Sequence, residues 1–378
     1  MYGVIKMSNS YENHLTRCIT RTEELAGILK LDEEQTRKLS AIQERYPFCI
    51  PQYYLDLIDW KDPADPIRKM CTPSIEETDM SGSFDTSGEA DNTVITGLQH
   101  KYDETALILS TSRCAMYCRH CFRKRLVGLP DEEIATHMDE MFQYIQEHEE
   151  ITNVLISGGD SFMNPNKVLC HYLAYLADID HLDCIRFGTR MPVVYPMRIY
   201  EDTELLQMLK HYSSIRQIYV VTQFNHPREF TPQARQAVEA LKASGVVVKN
   251  QTVLLRGVND TPLILGQLLK ELTSWGIAPY YIFQCRPVTG VKNQFQVPLK
   301  EGARIVEEAK AMQNGLGKCV RYCMSHPTGK IEILGEWDGR MMFKYHEARD
   351  KNNLGTMFLK ALPDDACWLD GPERQCQS

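Results

Sequence analysis

One stretch constrains this chain more than any other: Thr111-Ser-Arg-Cys-Ala-Met-Tyr-Cys-Arg-His-Cys-Phe-Arg-Lys-Arg125. It places Cys114, Cys118 and Cys121 in a CxxxCxxC spacing directly after the apolar run Ala106-Leu-Ile-Leu-Ser110. Three thiolates on a short loop at a strand end can hold three irons of a [4Fe-4S] cube, leaving the fourth iron without a protein ligand. An iron left open in this way is a place for chemistry. Two plainer readings are a zinc knuckle and cysteines that merely lie close together. Structural zinc takes four ligands at short offsets, and only His120, among arginines, is nearby.

The fuller string Cys114-Ala-Met-Tyr-Cys-Arg-His-Cys-Phe-Arg-Lys-Arg125 resembles the lysine 2,3-aminomutase branch of the radical S-adenosylmethionine (SAM) enzymes, and the resemblance runs from Gly97 to Lys330. It implies a reduced [4Fe-4S] cluster whose open iron chelates the amino and carboxylate groups of SAM. Cleavage of SAM then gives a 5′-deoxyadenosyl radical, which takes hydrogen from an unactivated carbon, a task for a cofactor and not for a side-chain base. The resemblance also implies pyridoxal 5′-phosphate, an electron donor such as flavodoxin or ferredoxin, and a homo-oligomer.

At 378 residues the chain is too long for a small single core, so one large catalytic domain with flanking pieces is expected. A net charge of −8 gives no electrostatic footprint for nucleic acid or for an acidic membrane surface, which leaves small molecules as partners. The 13 cysteines are odd in number and lack the spacing of a disulfide framework, and no apolar run approaches the length of a signal or membrane-spanning segment. A reducing, cytoplasmic setting is expected.

Residues 11–45 show helical spacing, with Leu15, Leu25, Leu29, Leu39 and Ile42 facing inward and Asp32 as a cap for a helix starting near Glu33. Ser74 to Asn92 is acidic and rich in Ser, Gly and Thr, the composition of a solvated connection. Strand-like segments at 106–110, 152–157, 184–189, 217–222, 247–253, 279–284 and 319–323 alternate with helical ones such as 132–148, 203–212, 232–243, 261–274 and 300–313. This repeated βα pattern predicts an α/β fold with parallel strands and helices outside. The resemblance narrows it to a partial, open (β/α) barrel of radical SAM type over residues 96–335, preceded by an N-terminal helical extension and acidic linker (1–95) and followed by a short C-terminal segment (336–378).

Functional side chains of such barrels sit at the C-terminal strand ends. Ser157-Gly158-Gly159-Asp160 ends one strand, where the glycines let a ligand approach the backbone or simply make a tight turn; the resemblance assigns this segment to the SAM amino group. Arg190 lies in an arginine-rich strand-end loop suited to an anion. The resemblance makes it an anion contact, turns Thr222–Arg228 and Asn250-Gln251 toward SAM, and places Lys101 near cofactor phosphate. Lys330, after Gly329 in a loop following the last strand, matches the lysine that binds pyridoxal phosphate, and partial desolvation would favour a Schiff base there. The family's glycine-rich run before that lysine is here Ser325-His-Pro-Thr328.

In the lysine enzymes two aspartates grip the distal ammonium of the substrate. Here the matching positions are Arg286 and Cys323. An inward arginine opposite an ammonium costs several kcal/mol in a poorly screened pocket, whereas it can clamp a carboxylate bidentately. An acidic amino acid, most simply glutamate, is therefore the expected substrate, with Arg123 on its α-carboxylate by resemblance; an outward Arg286 would remove the argument. Thr261 replaces a family zinc cysteine and the tail holds only the separated Cys367 and Cys376, so that structural zinc is not expected. The reading is a radical SAM, pyridoxal-phosphate-dependent 2,3-aminomutase. Its rivals are a lysine 2,3-aminomutase, a radical enzyme on the same scaffold without amino migration, and a non-catalytic zinc or regulatory module.

Overall fold

The computed structural model describes residues 18–129 and 132–369. Leu15 and Cys376 lie outside the described residues. Twelve strands form one sheet in chain order: β1 (Thr93–Ile95), β2 (Leu98–Tyr102), β3 (Thr105–Thr111), β4 (Asn153–Gly158), β5 (Cys184–Gly188), β6 (Gln217–Thr222), β7 (Val247–Leu254), β8 (Ala278–Gln284), β9 (Arg321–His326), β10 (Gly329–Trp337), β11 (Arg340–Ala348) and β12 (Met357–Lys360). Neighbours from β3 to β9 are parallel, and the pairs outside that run are antiparallel. The parallel core is joined by helices α1 (Met138–Glu147), α2 (Asn166–Ala177), α3 (Thr203–Ser213), α4 (Pro232–Ala243), α5 (Pro262–Ser274) and α6 (Leu299–Ala311). This is an open α/β barrel.

Alternation along the strands explains the layering. In β4, Val154 and Ile156 are fully buried in the main apolar cluster, while Leu155 and Ser157 between them line a central cavity. Both α4 and α5 open with Thr-Pro: Thr231 accepts a hydrogen bond from the Ala234 amide and Thr261 from that of Ile264, so the zinc-position threonine is a helix cap. Asp32 caps the helix Glu33–Arg45 as expected, its side chain 2.7 Å from the Gln35 amide. Among the described residues no helix is long and apolar enough to cross a membrane.

Four local expectations need correction. Helix α1 begins at Met138, not 132, because the preceding chain is held against β3 instead of coiling: the Ala135 amide donates to the Leu109 carbonyl. Lys330 is not in a loop but in β10, paired with Ser325 across a tight β9–β10 hairpin. The boundary drawn at 335/336 cuts through β10, and the tail beyond it adds β11 and β12 to the sheet. Finally, Ser74–Asn92 is not simply solvated. Its Glu77 and Glu89 are 1% and 5% exposed, and the next section gives the reason.

Candidate active site

The cysteine loop leaves β3 at Thr111 and is pinned from beneath by the N-terminal extension. The Tyr117 amide donates to the Cys49 carbonyl at 3.1 Å and the Arg119 amide to that of Met70 at 2.9 Å. Four of its basic residues are paired with two carboxylates of the acidic segment. Glu77 takes Nε of Arg119 at 2.8 Å and Nζ of Lys124 at 2.7 Å. Glu89 takes Arg123 at 2.9 Å and Arg125 at 2.8 Å. Burial pushes both carboxyls up, but the adjoining cations outweigh it and hold them below the usual range. Arg119, 2% exposed, also donates to the Pro47 carbonyl.

This loop roofs a cavity of about 370 Å³ at the C-terminal ends of the parallel strands. The cavity is lined by the three cysteines, Lys101, Arg123, Ser157 to Asp160, Arg190, Gln251, Arg286 and Lys330, whereas of the segment Thr222–Arg228 only Thr222 and Gln223 reach it and Asn250 does not. Burial first, then the neighbouring Asp160 and the other two thiols, raises the Cys114 thiol well above its ordinary value; burial and Cys118 push Cys121 to about 11. Arg123 compensates in part for both, and Nη1 of Arg190 donates to Sγ of Cys118 at 2.9 Å. Among the described residues no group of three or more His, Cys, Asp or Glu side chains is set as ligands of one metal ion. A cube asks something different, one thiolate for each of three irons, and three thiols on one short loop lining one cavity fit that demand.

The strand-end segments behave differently from one another. Gly158 and Gly159 permit close passage of the cysteine loop: a Cβ on them would stand 2.4 Å from the carbonyls of Thr111 and Arg113 respectively. Asp160 is buried and spends its oxygens on the Thr189 hydroxyl and the amides of Arg190 (2.7 Å) and Phe162 (3.0 Å). It is a structural knot tying β4 to the Arg190 loop. Arg190 itself is held by Glu229, the Gln223 carbonyl and Cys118, so the anions it meets here belong to the protein. His226 caps a short turn through Nδ1, which accepts from the Arg228 amide.

At the opposite wall, Nζ of Lys330 donates to Oε2 of Glu347 at 2.8 Å and lies 4.8 Å from the Tyr281 ring centroid and 5.8 Å from that of Tyr102. Gly329 has a steric reason, because a Cβ there would sit 2.2 Å from the Glu347 carbonyl. Nζ of Lys101 donates to the carbonyls of Ser87 (3.0 Å) and His326 (2.9 Å); burial, then Arg286 and Arg349, bring it down to about 8. Arg286 faces inward. Nη1 donates to Oγ of Ser87 at 2.9 Å, and its other N–H groups have no protein partner among the described residues. Cys323 is fully buried.

Comparison with known proteins agrees with this geometry. The family description "Radical SAM superfamily" matches residues 108–264. A protein of Aquifex aeolicus (strain VF5) named "Putative L-lysine 2,3-aminomutase" is 41% identical over 349 residues, 92% of this chain and 93% of the relative. The chain belongs to the lysine 2,3-aminomutase-like family of radical SAM enzymes. The L-lysine 2,3-aminomutase of Fusobacterium nucleatum is 38% identical over 296 residues, 78% of this chain and 68% of the relative. The glutamate 2,3-aminomutase of Clostridioides difficile (strain 630) is 35% identical over 333 residues, 87% of this chain and 77% of the relative. As a member of this aminomutase family the chain is an isomerase, with a [4Fe-4S] cluster and SAM as cofactors.

The sequence reading missed Glu77, Glu89, Ser87, Phe122, Tyr102, Tyr281 and Glu347. A signal existed for the first two: the six acids from Glu76 to Asp91 are opposite in sign to the four cations of the run from Arg119 to Arg125, and a buried loop carrying those four cations needs counter-charges. Glu347 carried no such signal, because its partner Lys330 reaches it only through the β10–β11 pairing.

Proposed function

We propose that this chain is a pyridoxal-phosphate-dependent 2,3-aminomutase that moves the α-amino group of an acidic amino acid, most simply L-glutamate, to Cβ. The observation that supports the substrate class is Arg286, turned into the cavity at the place where the lysine enzymes carry an aspartate, with most of its donors unspent. The lining acids cannot easily serve a distal ammonium instead: Glu89 is paired with Arg123 and Arg125, Asp160 is tied to Thr189 and two amides, and Glu347 holds Lys330.

In this reading Cys114, Cys118 and Cys121 hold the cluster, Ser157 to Gly159 and Gln251 lie along SAM, and Arg190 braces Cys118. Lys330 holds the pyridoxal aldehyde and Lys101 its phosphate; a primary amine and a second ammonium on one cavity, separated by the β9–β10 hairpin, fit those two ends. When bound, these groups supply a carbon radical able to abstract hydrogen and a π-system over which an unpaired electron can spread. The chain does the rest. Oε2 of Glu347 is placed to accept a proton from Nζ of Lys330, Arg123 and Arg286 orient the two carboxylates, and the rings of Tyr102, Tyr281 and Phe283 keep water from the reacting carbons.

The test is anaerobic incubation of the reconstituted, reduced protein with SAM, pyridoxal phosphate and a panel of amino acids, with 3-amino products read by mass spectrometry. β-Glutamate is expected, and Arg286→Asp should cut its formation at least a hundredfold, from loss of a charge-assisted bidentate contact and gain of a repelling charge. β-Lysine as the main product, or glutamate turnover unaffected by Arg286→Asp, refutes the assignment.

A further inference from the structure

Arg123 and Arg286 come from loops far apart in the chain, yet both guanidinium groups lie against one ring. Cζ of Arg286 is 4.1 Å and Cζ of Arg123 is 4.6 Å from the centroid of Phe122. The two groups therefore stand no farther apart than those distances laid end to end. Phe122 is half-buried and lines the cavity. On the other side the same short segment braces both arginines: Oγ of Ser87 takes Nη1 of Arg286 at 2.9 Å, and Oε1 of Glu89 takes Nε of Arg123 at 3.0 Å and its Nη2 at 2.9 Å, while Nη1 of Arg123 reaches Oγ of Ser157 at 3.2 Å and the Gly158 carbonyl at 3.4 Å.

Two like charges this close repel, and something must hold them. Glu89 is shared with Arg125 as well, so it does not neutralise the pair. Burial, with Arg123 among the opposing charges, brings Arg286 down to about 10. An aromatic face attracts each guanidinium through its quadrupole and presents a rigid flat surface, which an aliphatic side chain does not. Two planar forks fixed at one separation read the spacing between two carboxylates.

We propose that Phe122 is the residue that sets substrate length, its ring being the shared platform that fixes the separation of Arg123 and Arg286 and so the distance between the two carboxylates they accept. This rests on the acidic-substrate reading above and adds to it a specificity-determining residue that touches neither reacting carbon. It also names the ligand class, an amino acid whose two carboxylates are separated by one particular length of chain.

The experiment uses unreactive diacids, so that it does not depend on turnover. Succinate, glutarate and adipate are titrated calorimetrically into the anaerobically reconstituted enzyme, as wild type, Phe122→Tyr, Phe122→Leu and Arg286→Lys. Wild type and Phe122→Tyr should prefer one length. Phe122→Leu should bind that diacid about tenfold more weakly and lose the preference. Arg286→Lys, which changes no residue of the cysteine loop itself, keeps the charge but not the flat fork, and should lose the preference too; this keeps a second variant in the test if Phe122→Leu fails to take up iron. A length preference that survives in iron-loaded Phe122→Leu, or in Arg286→Lys where Phe122→Leu takes up no iron, overturns the role of Phe122 and leaves the acidic-substrate reading standing. A wild type that binds no diacid overturns that reading and this inference with it.

Discussion

Glu77→Gln is the perturbation that most directly tests how the cysteine loop is held. The Glu77 carboxylate is 1% exposed and is the counter-charge of two buried cations, Arg119 and Lys124, whose side chains are 2% and 5% exposed. Removing one partner of a buried ion pair costs about 3–5 kcal/mol because the remaining charge stays desolvated. Glutamine keeps the volume and one acceptor, which favours the lower end, but it abandons two cations instead of one. A loss of about 3 kcal/mol is therefore expected, a large share of the roughly 5–15 kcal/mol that holds a typical protein folded. The assay is equilibrium urea unfolding of the apoprotein, beside iron bound per chain after anaerobic reconstitution. The pH dependence supplies a second check. Because the folded carboxyl titrates below its unfolded value of about 4.3, its contribution is complete above that pH and fades as pH falls through the folded value. The gap between wild type and Glu77→Gln should thus be widest near neutrality and close in acid. A loss under about 1 kcal/mol at pH 7 with iron binding intact would refute the reasoning, since no buried cation can then depend on Glu77.

Two further outcomes follow from the opposite wall. Lys101 titrates near 8 in the folded chain against about 10.4 unfolded, so raising the pH through that window stabilises the fold while stripping the ammonium of its charge. Pyridoxal phosphate affinity, followed by its absorbance, should accordingly fall above pH 8 in wild type and hold in Lys101→Arg; a flat wild-type profile from pH 7 to 9 contradicts the phosphate role. Gly329→Ala must push a methyl group against the Glu347 carbonyl and part β10 from β11. A loss of about 1–3 kcal/mol in urea unfolding is expected, and unchanged stability would mean that the hairpin yields freely.

The parallel core was legible because its signals are local. The strand predicted at 217–222 and the helix predicted at 232–243 match β6 and α4 residue for residue, each carrying its own periodicity and, for α4, a Thr-Pro start. The cysteine spacing is local too. What the sequence hid depends on pairing at long range. Glu77 and Glu89 have the composition of solvated acids, and only the distant basic run makes them buried. Lys330 follows turn-forming Pro327 and Thr328 and reads as a loop residue, yet the antiparallel partners Ser325 and Glu347 draw it into a strand. Arg286 was legible as an identity but not as a direction. Its inward aim comes from Ser87 and from the ring of Phe122, neither near it in sequence.

Lys101 closes more than a binding site. By reaching from β2, the antiparallel neighbour of the first parallel strand, to the carbonyl of His326 at the end of β9, the last, it joins the two sides of the barrel across a separation of 225 positions. During synthesis the three cysteines therefore emerge with no far wall behind them. About 200 residues, or roughly 10–40 s of translation at about 5–20 residues per second, separate their appearance from that of Lys330. The nascent chain presents a nearly complete thiol loop to its surroundings for that long. Until the last parallel strand arrives, the fold supplies those sulfurs with no opposite wall.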